Sequence, residues 1–165
     1  MPDVTDDWQH RIDAVWADAS LSDAARIAAI DALADELGTR HPVALFERAG
    51  ARDSAGRETE AESLYRAALD GGLDAYRRTR AVIQLASTIR NLGKVDEALG
   101  MLQAEYEASR GGELADEAAA FYALALASSG DARAAASIAL TALAPHLSRY
   151  TRSVTGYAAE LVEGR

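Results

Sequence analysis

The chain has 165 residues, 49% apolar and 26% charged, enough for one domain with a substantial core, and no apolar run reaches the length of a membrane span. A formal charge of −9 repels nucleic acid on average, and zero cysteines exclude disulfides, thiolate metal sites and a cysteine nucleophile. The opening "MPDVTDDWQHRID" has neither the basic start nor the apolar core of a signal peptide, so a cytoplasmic protein is expected, with no nucleic acid or membrane partner. Lys94 is the only lysine, and with many Ala and Asp this points to a GC-rich genome. Charge is uneven. Residues 1–40 are rich in Asp, from Asp3 to Asp35, whereas 75–95 carry Arg77, Arg78, Arg80, Arg90 and Lys94 and no acid. The two stretches can pair within the molecule or across two copies, or simply be solvated faces.

In chain order, apolar spacing predicts helices over about 7–18 and 21–37, with Ser20 and Ser22 as cap candidates for the second. Pro42 suits the first turn of a helix over 42–55, and another follows over 57–70. Helices over 75–92 and 94–110 flank Gly93. In the first of them Val82, Leu85, Ala86, Ile89 and Leu92 share one stripe. Helices over 114–129 and 131–143 flank Gly130, and Pro145 reads as a stop. The last helix, 148–162, puts Tyr150, Val154, Tyr157, Ala158 and Leu161 on one face, with a polar opposite face as a terminal cap needs. No stretch alternates as a strand would.

These elements repeat. Gly56, Gly93 and Gly130 are 37 residues apart, as are Ala49, Ala86 and Ala123, and Ala61, Ala98 and Ala135. Glycine permits the left-handed backbone that ends a helix and reverses the chain. The paired alanines are small where two antiparallel helices must approach. Gly71–Gly72 and Gly111–Gly112 read as turns between units. One step upstream lies a degenerate unit with Trp8, Ala24 and Ile27 in register, and with Ala28 where the next unit has Tyr65.

The segments "AESLYRAAL", "ASTIRNLGKVDEALGML" and "ALALASSGDARAAASIALTAL" resemble tetratricopeptide repeats, with three extra residues per unit. "LFERAGARDSAGRETEA" and "LAPHL" bring the chain close to the bacterial group-5 tetratricopeptide family. The resemblance implies an all-α, antiparallel helix-pair solenoid with a C-terminal capping helix. It implies one domain over 1–165: a degenerate unit 6–40, repeats at about 42–74, 79–112 and 116–145, and a cap at 148–162. It also implies protein–protein contacts and leaves room for a homodimer, in which the acidic N-terminal pair of one copy meets the basic second pair of the other.

By the same resemblance the first helix of each pair lines a concave groove. The expected partner-binding set is Phe46, Asp53 and Ser54, then Arg80, Ile83, Gln84, Ser87, Arg90 and Asn91, and finally Leu124. Arginine suits such a groove because its planar fork holds a carboxylate bidentately. Equally, Asp53 and Arg90, one period apart, can pair and only stabilise the stack. Arg48 and Arg52 break the apolar pattern, which implies a rotated helix or a wet outer face.

Signals of chemistry are missing. His10, His41 and His146 are far apart in sequence, have no acid or histidine at ligand spacing, and read as surface or boundary residues; no metal is expected. "DSAG" has no nucleophile elbow, and "SRGGELADE" lacks the Lys-Ser/Thr of a phosphate loop. No catalytic residue or cofactor is expected. The reading is a non-enzymatic scaffold that binds a protein segment or self-associates. The alternative is a regulatory sensor that binds a small peptide or anionic ligand in the groove.

Overall fold

A computed structural model describes residues 3–163. Among them are nine α-helices, one 3-10 turn and no strand. The helices are α1 (Asp6–Ala17), α2 (Asp23–Leu37), α3 (Pro42–Ser54), α4 (Glu58–Gly71), α5 (Ala75–Asn91), α6 (Val95–Ala108), α7 (Ala115–Ser128), α8 (Ala132–Leu143) and α9 (Thr151–Glu160). Sequential helices pack: α1 on α2, α2 on α3, α3 on α4, then α6 on α7, α7 on α8 and α8 on α9. The chain divides into two compact units, 1–88 and 89–165. No helix of the described residues is long and apolar enough to cross a membrane.

The turns behave as the glycine spacing predicts. Gly56, Gly93 and Gly130 have φ of 70°, 85° and 93°. Each closes its helix with the same two hydrogen bonds. Arg57 N–H donates to the Arg52 carbonyl at 2.8 Å and Gly56 N–H to Asp53 at 3.0 Å. Lys94 and Gly93 repeat this on Ile89 and Arg90, and Asp131 and Gly130 on Leu126 and Ala127. This is the Schellman closure, and it satisfies carbonyls that the helix end leaves without partners. The alanines at both helix–helix positions are buried throughout: Ala49, Ala86 and Ala123, and Ala61, Ala98 and Ala135.

In the first unit, Trp8, Ile12, Ile27, Ile30, Ala34, Leu37, Val43, Ala44 and Ala51 form one core cluster. The Trp8 indole N–H donates to the Leu33 carbonyl at 2.8 Å. Side-chain caps start α1 (Thr5) and α2 (Ser22). In the second unit, Ala123, Leu126 and Ala135 cluster with Leu99, Tyr122, Ala134 and Ile138 against them. Tyr106 and Tyr122 stack there with ring centroids 5.4 Å apart.

Several expectations are corrected. Ala24 is exposed, because α2 begins at Asp23 and Ala24 sits in its first turn; Ile27, Ile30, Ala34 and Leu37 carry the burial instead. Leu92 lies past the end of α5 and is exposed, so it leaves the apolar stripe. Arg48 and Arg52 reflect neither a rotated helix nor a wet face. Arg52 grips both oxygens of Asp31 on α2 at 2.7 and 2.8 Å, and Arg48 bridges Asp31 and Asp35. Asp31 and Asp35 of α2 therefore find their counter-charges on α3, Glu36 finds Arg11 on α1, and Asp23 pairs with Arg26 on α2 itself. His41 is buried, and its Nδ1 accepts from the Val43 N–H as the N-cap of α3. Pro145 lies inside a 3-10 turn, Ala144–His146, that runs on directly from α8. The last helix starts at Thr151, after Tyr150 in a left-handed conformation with φ 69°.

The turn geometry sets a pair of opposite expectations. Gly56→Ala and Gly130→Ala each place a Cβ on a left-handed residue and lose about 1–2 kcal/mol. Gly100→Ala, inside α6 with nothing within 4 Å of the added Cβ, gains about 0.5–1 kcal/mol from a stiffer unfolded chain. Urea titration of the full chain reads both signs.

Candidate functional site

The expected groove residues that come together lie on α3 and on the part of α5 within the first unit. The Arg80 guanidinium sits 5.1 Å over the Phe46 ring and 5.7 Å from the Tyr76 ring. Phe46 in turn tilts against Tyr65 of α4, with centroids 6.2 Å apart. A guanidinium stacked this way keeps its in-plane N–H donors directed outward. Among the described residues none accepts a hydrogen bond from Arg80.

One and two turns further along α5 stand Gln84 and Thr88. Thr88 Oγ1 lies 2.9 Å from both Asp53 Oδ1 and the Gln84 carbonyl. Tyr65 O–H donates to Asp53 Oδ2 at 3.4 Å. Burial pushes the Asp53 carboxyl above the usual aspartate range, and the Thr88 and Tyr65 hydrogen bonds pull it part of the way back. The same burial, with Asp53 beside it, pushes the Tyr65 hydroxyl up, so it remains a proton donor at any ordinary pH.

Glu47, next to Phe46, is almost fully buried and accepts from the Trp16 indole N–H of α1 at 2.8 Å. Burial raises its carboxyl above the usual glutamate range. The Trp16 hydrogen bond and the charges of Arg80 and Arg77 oppose that shift, and Asp13 adds to it. Gly50 lets Trp16 reach this position, because a Cβ there would stand 3.3 Å from the indole ring.

The other expected residues are placed less uniformly. Ile83 is buried, so it belongs to the core. Ser87 is half-buried, and Ser54 is exposed with its Oγ on the Ala51 carbonyl at 3.2 Å. In the second unit Arg90 is half-buried, Asn91 is exposed, and Leu124 is half exposed on an apolar groove between α7 and α8. Sequence reasoning missed two hydrogen-bonded sets, Trp16 with Glu47, and Thr88 and Tyr65 with Asp53. A Glu within the apolar run "HPVALFERAGA" was the available signal for the first of them.

No group of three or more His, Asp or Glu among the described residues could hold a metal. His146 does meet an acid, Asp116, at 2.8 Å across 30 residues of sequence. Spacing alone could not show that pair, and it forms only when α7 and the turn after α8 are folded together.

Fold and site define a helix-pair repeat protein with a polar, aromatic-floored face on its first full pair. The tetratrico peptide repeat family model matches residues 42–161, and the chain belongs to that family. Repeats of this family generally mediate protein–protein interactions and are typically non-enzymatic. The degenerate α1–α2 pair lies outside the match. No curated protein and no solved structure matches the chain.

The two kinds of carboxylate act oppositely with pH. Glu47 is raised on folding, so its contribution is fully present below about pH 4.3, the unfolded value, and is lost as pH rises through the folded value. Asp31 is held below the usual range by its Arg52 hydrogen bonds, so its contribution is present above the unfolded value and is lost as pH falls. Glu47→Gln, which can still accept from Trp16, should gain stability over the wild type progressively as pH rises from about 4 to 7. Urea midpoints measured across that range read the difference. A pH-independent difference would contradict the burial argument.

Proposed function

We propose that this chain is a non-enzymatic scaffold that binds a segment of another protein on the face built by α3 and α5. The observation that carries it is Arg80: half-buried, stacked on Phe46 and Tyr76, with no hydrogen-bond acceptor among the described residues. A guanidinium fixed in direction and left without an acceptor is prepared for one from outside. Phe46, buried and tilted on buried Tyr65, is a rigid support beneath the guanidinium, and buried Thr88 holds the half-buried Asp53 carboxylate in place. Expected partner-facing positions around them are Ser54, Gln84 and Ser87, with Arg90, Asn91 and Leu124 as further positions in the second unit. The proposal takes 1–165 as a single tetratricopeptide-like domain of a bacterial, cytoplasmic protein, with repeats at about 42–74, 79–112 and 116–145, and includes self-association.

Arg80 also favours a second reading, a sensor whose small peptide or anionic ligand ends in a carboxylate. In both readings Arg80 supplies the acceptor site, so the size of what binds separates them.

A photo-crosslinking residue at Ser87, beside the site, and another at exposed Ser63 on α4 make the test in the native host. The scaffold reading expects a discrete crosslinked protein from Ser87 only, lost in Arg80→Ala, with the thermal midpoint of that variant within a few degrees of wild type. The sensor reading expects no crosslinked protein, and a rise in thermal midpoint with a short C-terminal-carboxylate peptide that Arg80→Ala abolishes. Equal crosslinking from Ser63, or crosslinks indifferent to Arg80→Ala, would remove this face as the binding site.

A further inference from the structure

Within the second unit, the end of α6, the start of α7 and the end of α8 enclose a pocket of about 200 Å³. Its floor is apolar: Ala119 is buried, and Tyr106, Ala115, Ile138 and Ala142 are half-buried. Its rim is polar and carries Arg110, Asp116 and the Thr141 hydroxyl. The repeat shows how the space arises. Two periods earlier the positions of Ala115 and Ala119 hold the larger His41 and Leu45. His41 is buried there, and Pro42 approaches Gly71 so closely that a Cβ on the glycine would stand 3.1 Å away. Asp116 and Pro145 are the counterparts of Pro42 and Gly71, and both line the open pocket. The sequence predicts that α9 turns Tyr150 and Tyr157 inward together with Ala158. The structure buries Ala158 and leaves the two tyrosines 75% and 66% exposed, and neither lines this pocket.

The two charges of the rim do not neutralise each other. The Arg110 guanidinium lies 5.4 Å from the centre of the Tyr106 ring, which is itself stacked on Tyr122. Among the described residues none accepts a hydrogen bond from Arg110, and no ion pair joins it to Asp116. Asp116 is oriented from the other side: its Oδ2 meets His146 Nε2 at 2.8 Å, and its Oδ1 takes no hydrogen bond from the described residues. A cation and a carboxylate that share one pocket while held apart favour a ligand with both charges.

We infer that this pocket binds a free α-amino acid with an aliphatic side chain. Its carboxylate lies on the Arg110 fork, its ammonium on the open oxygen of Asp116, and its side chain on the alanine and isoleucine floor. Size supports this, because the pocket is smaller than the ~300–1,000 Å³ of sites for drug-sized molecules. Charge supports it too. The chain carries −9, which repels a simple anion at long range and leaves a zwitterion unaffected. A simple cation would leave Arg110 unpaired beside it. The site does not involve Arg80 and stands or falls separately from the binding face on α3 and α5.

L-Leucine is the probe, added to the isotope-labelled full chain. The expected result is a saturable shift of the amide signals of Arg110, Asp116, Thr141 and Ala142, with a thermal midpoint that rises with leucine concentration. Leucinamide, which lacks the carboxylate, and N-acetylleucine, which lacks the ammonium, should each bind roughly ten-fold or more weakly than leucine. Glycine, with no side chain for the floor, should also bind more weakly. Arg110→Gln and Asp116→Asn should each weaken leucine binding roughly ten-fold. Both side chains are exposed, so these variants should keep the wild-type far-ultraviolet circular dichroism. The two leucine derivatives decide the matter on the wild type if either substitution disturbs folding. Arg80→Ala and Arg152→Gln should bind leucine as the wild type does. No saturable shift up to the solubility limit of leucine overturns the inference. N-acetylleucine binding as tightly as leucine also overturns it and makes this a site for the last residue of a peptide. Leucinamide binding as tightly overturns it in favour of a first residue. Binding that survives both Arg110→Gln and Asp116→Asn overturns it as well.

Discussion

Two helices joined by a turn of a few residues can lie side by side only where their facing side chains are small enough for the axes to approach within about 8–10 Å. Here that requirement falls on Ala49 and Ala61 in the first full pair and on Ala123 and Ala135 in the last, all buried. A larger side chain at any of them would force the pair apart and expose the apolar stripes that drive packing. The glycine between the helices is the other half of the constraint. Gly56 and Gly130 take a left-handed backbone, and the two hydrogen bonds that follow close the carbonyl end of the first helix while aiming the chain into the second. Period, pairing and register all descend from these few small residues. The side chains between them are left free to specialise.

Specialisation is clearest where burial opposes charge. An ionised carboxylate loses solvation when buried, and that loss is offset only by well-placed donors. Glu47 and Asp53 both sit on the inner side of α3 with raised proton affinity, and each has a donor from another helix: Trp16 of α1 for one, Thr88 of α5 and Tyr65 of α4 for the other. Such bonds fix the rotation of α3 against three neighbours at once, which apolar contacts alone do loosely. On the opposite side of α3, Arg48 and Arg52 do the same work against α2 with the charges reversed. The helix is therefore held by polar contacts on both flanks, and Phe46, on which Arg80 stacks, belongs to it.

The parts of this arrangement that were legible in the sequence are those set by one residue's own sterics. Glycine at a left-handed turn and alanine at a close approach leave a signal at a fixed spacing, so Gly56, Gly93, Gly130 and the alanine series stand out in the sequence itself. Partnerships across the fold leave no such signal. Arg48 and Arg52 look like errors in an apolar stripe until α2 brings Asp31 and Asp35 to them. Thr88 looks like an ordinary residue of an apolar helix, and only the approach of α3 makes it a donor to Asp53. His41 reads as a boundary residue because a buried cap is defined by the backbone it serves, the Val43 N–H. Ala24 fails for a local reason: in-register counting cannot see that α2 starts one residue before it. The candidate face was half legible. Register alone singles out Phe46, Asp53 and Arg80, whereas the Trp16–Glu47 hydrogen bond and the contacts of Tyr65 with Phe46 and Asp53 leave no mark in the spacing.

A single register position shows how one frame carries different chemistry. It holds Phe46, then Ile83, then Ala120, then Tyr157. Phe46 and Ile83 are buried, and the first of them is the floor on which a cation stacks. Ala120 leaves space where Phe46 fills it, and Tyr157 returns the bulk with its side chain 66% exposed. Polar networks are directional, so they suit a face that must choose among partners by the placement of donors and acceptors. Apolar surface is not directional, and its contribution grows with the area covered. The same frame therefore carries polar contacts around α3 and an apolar groove between α7 and α8.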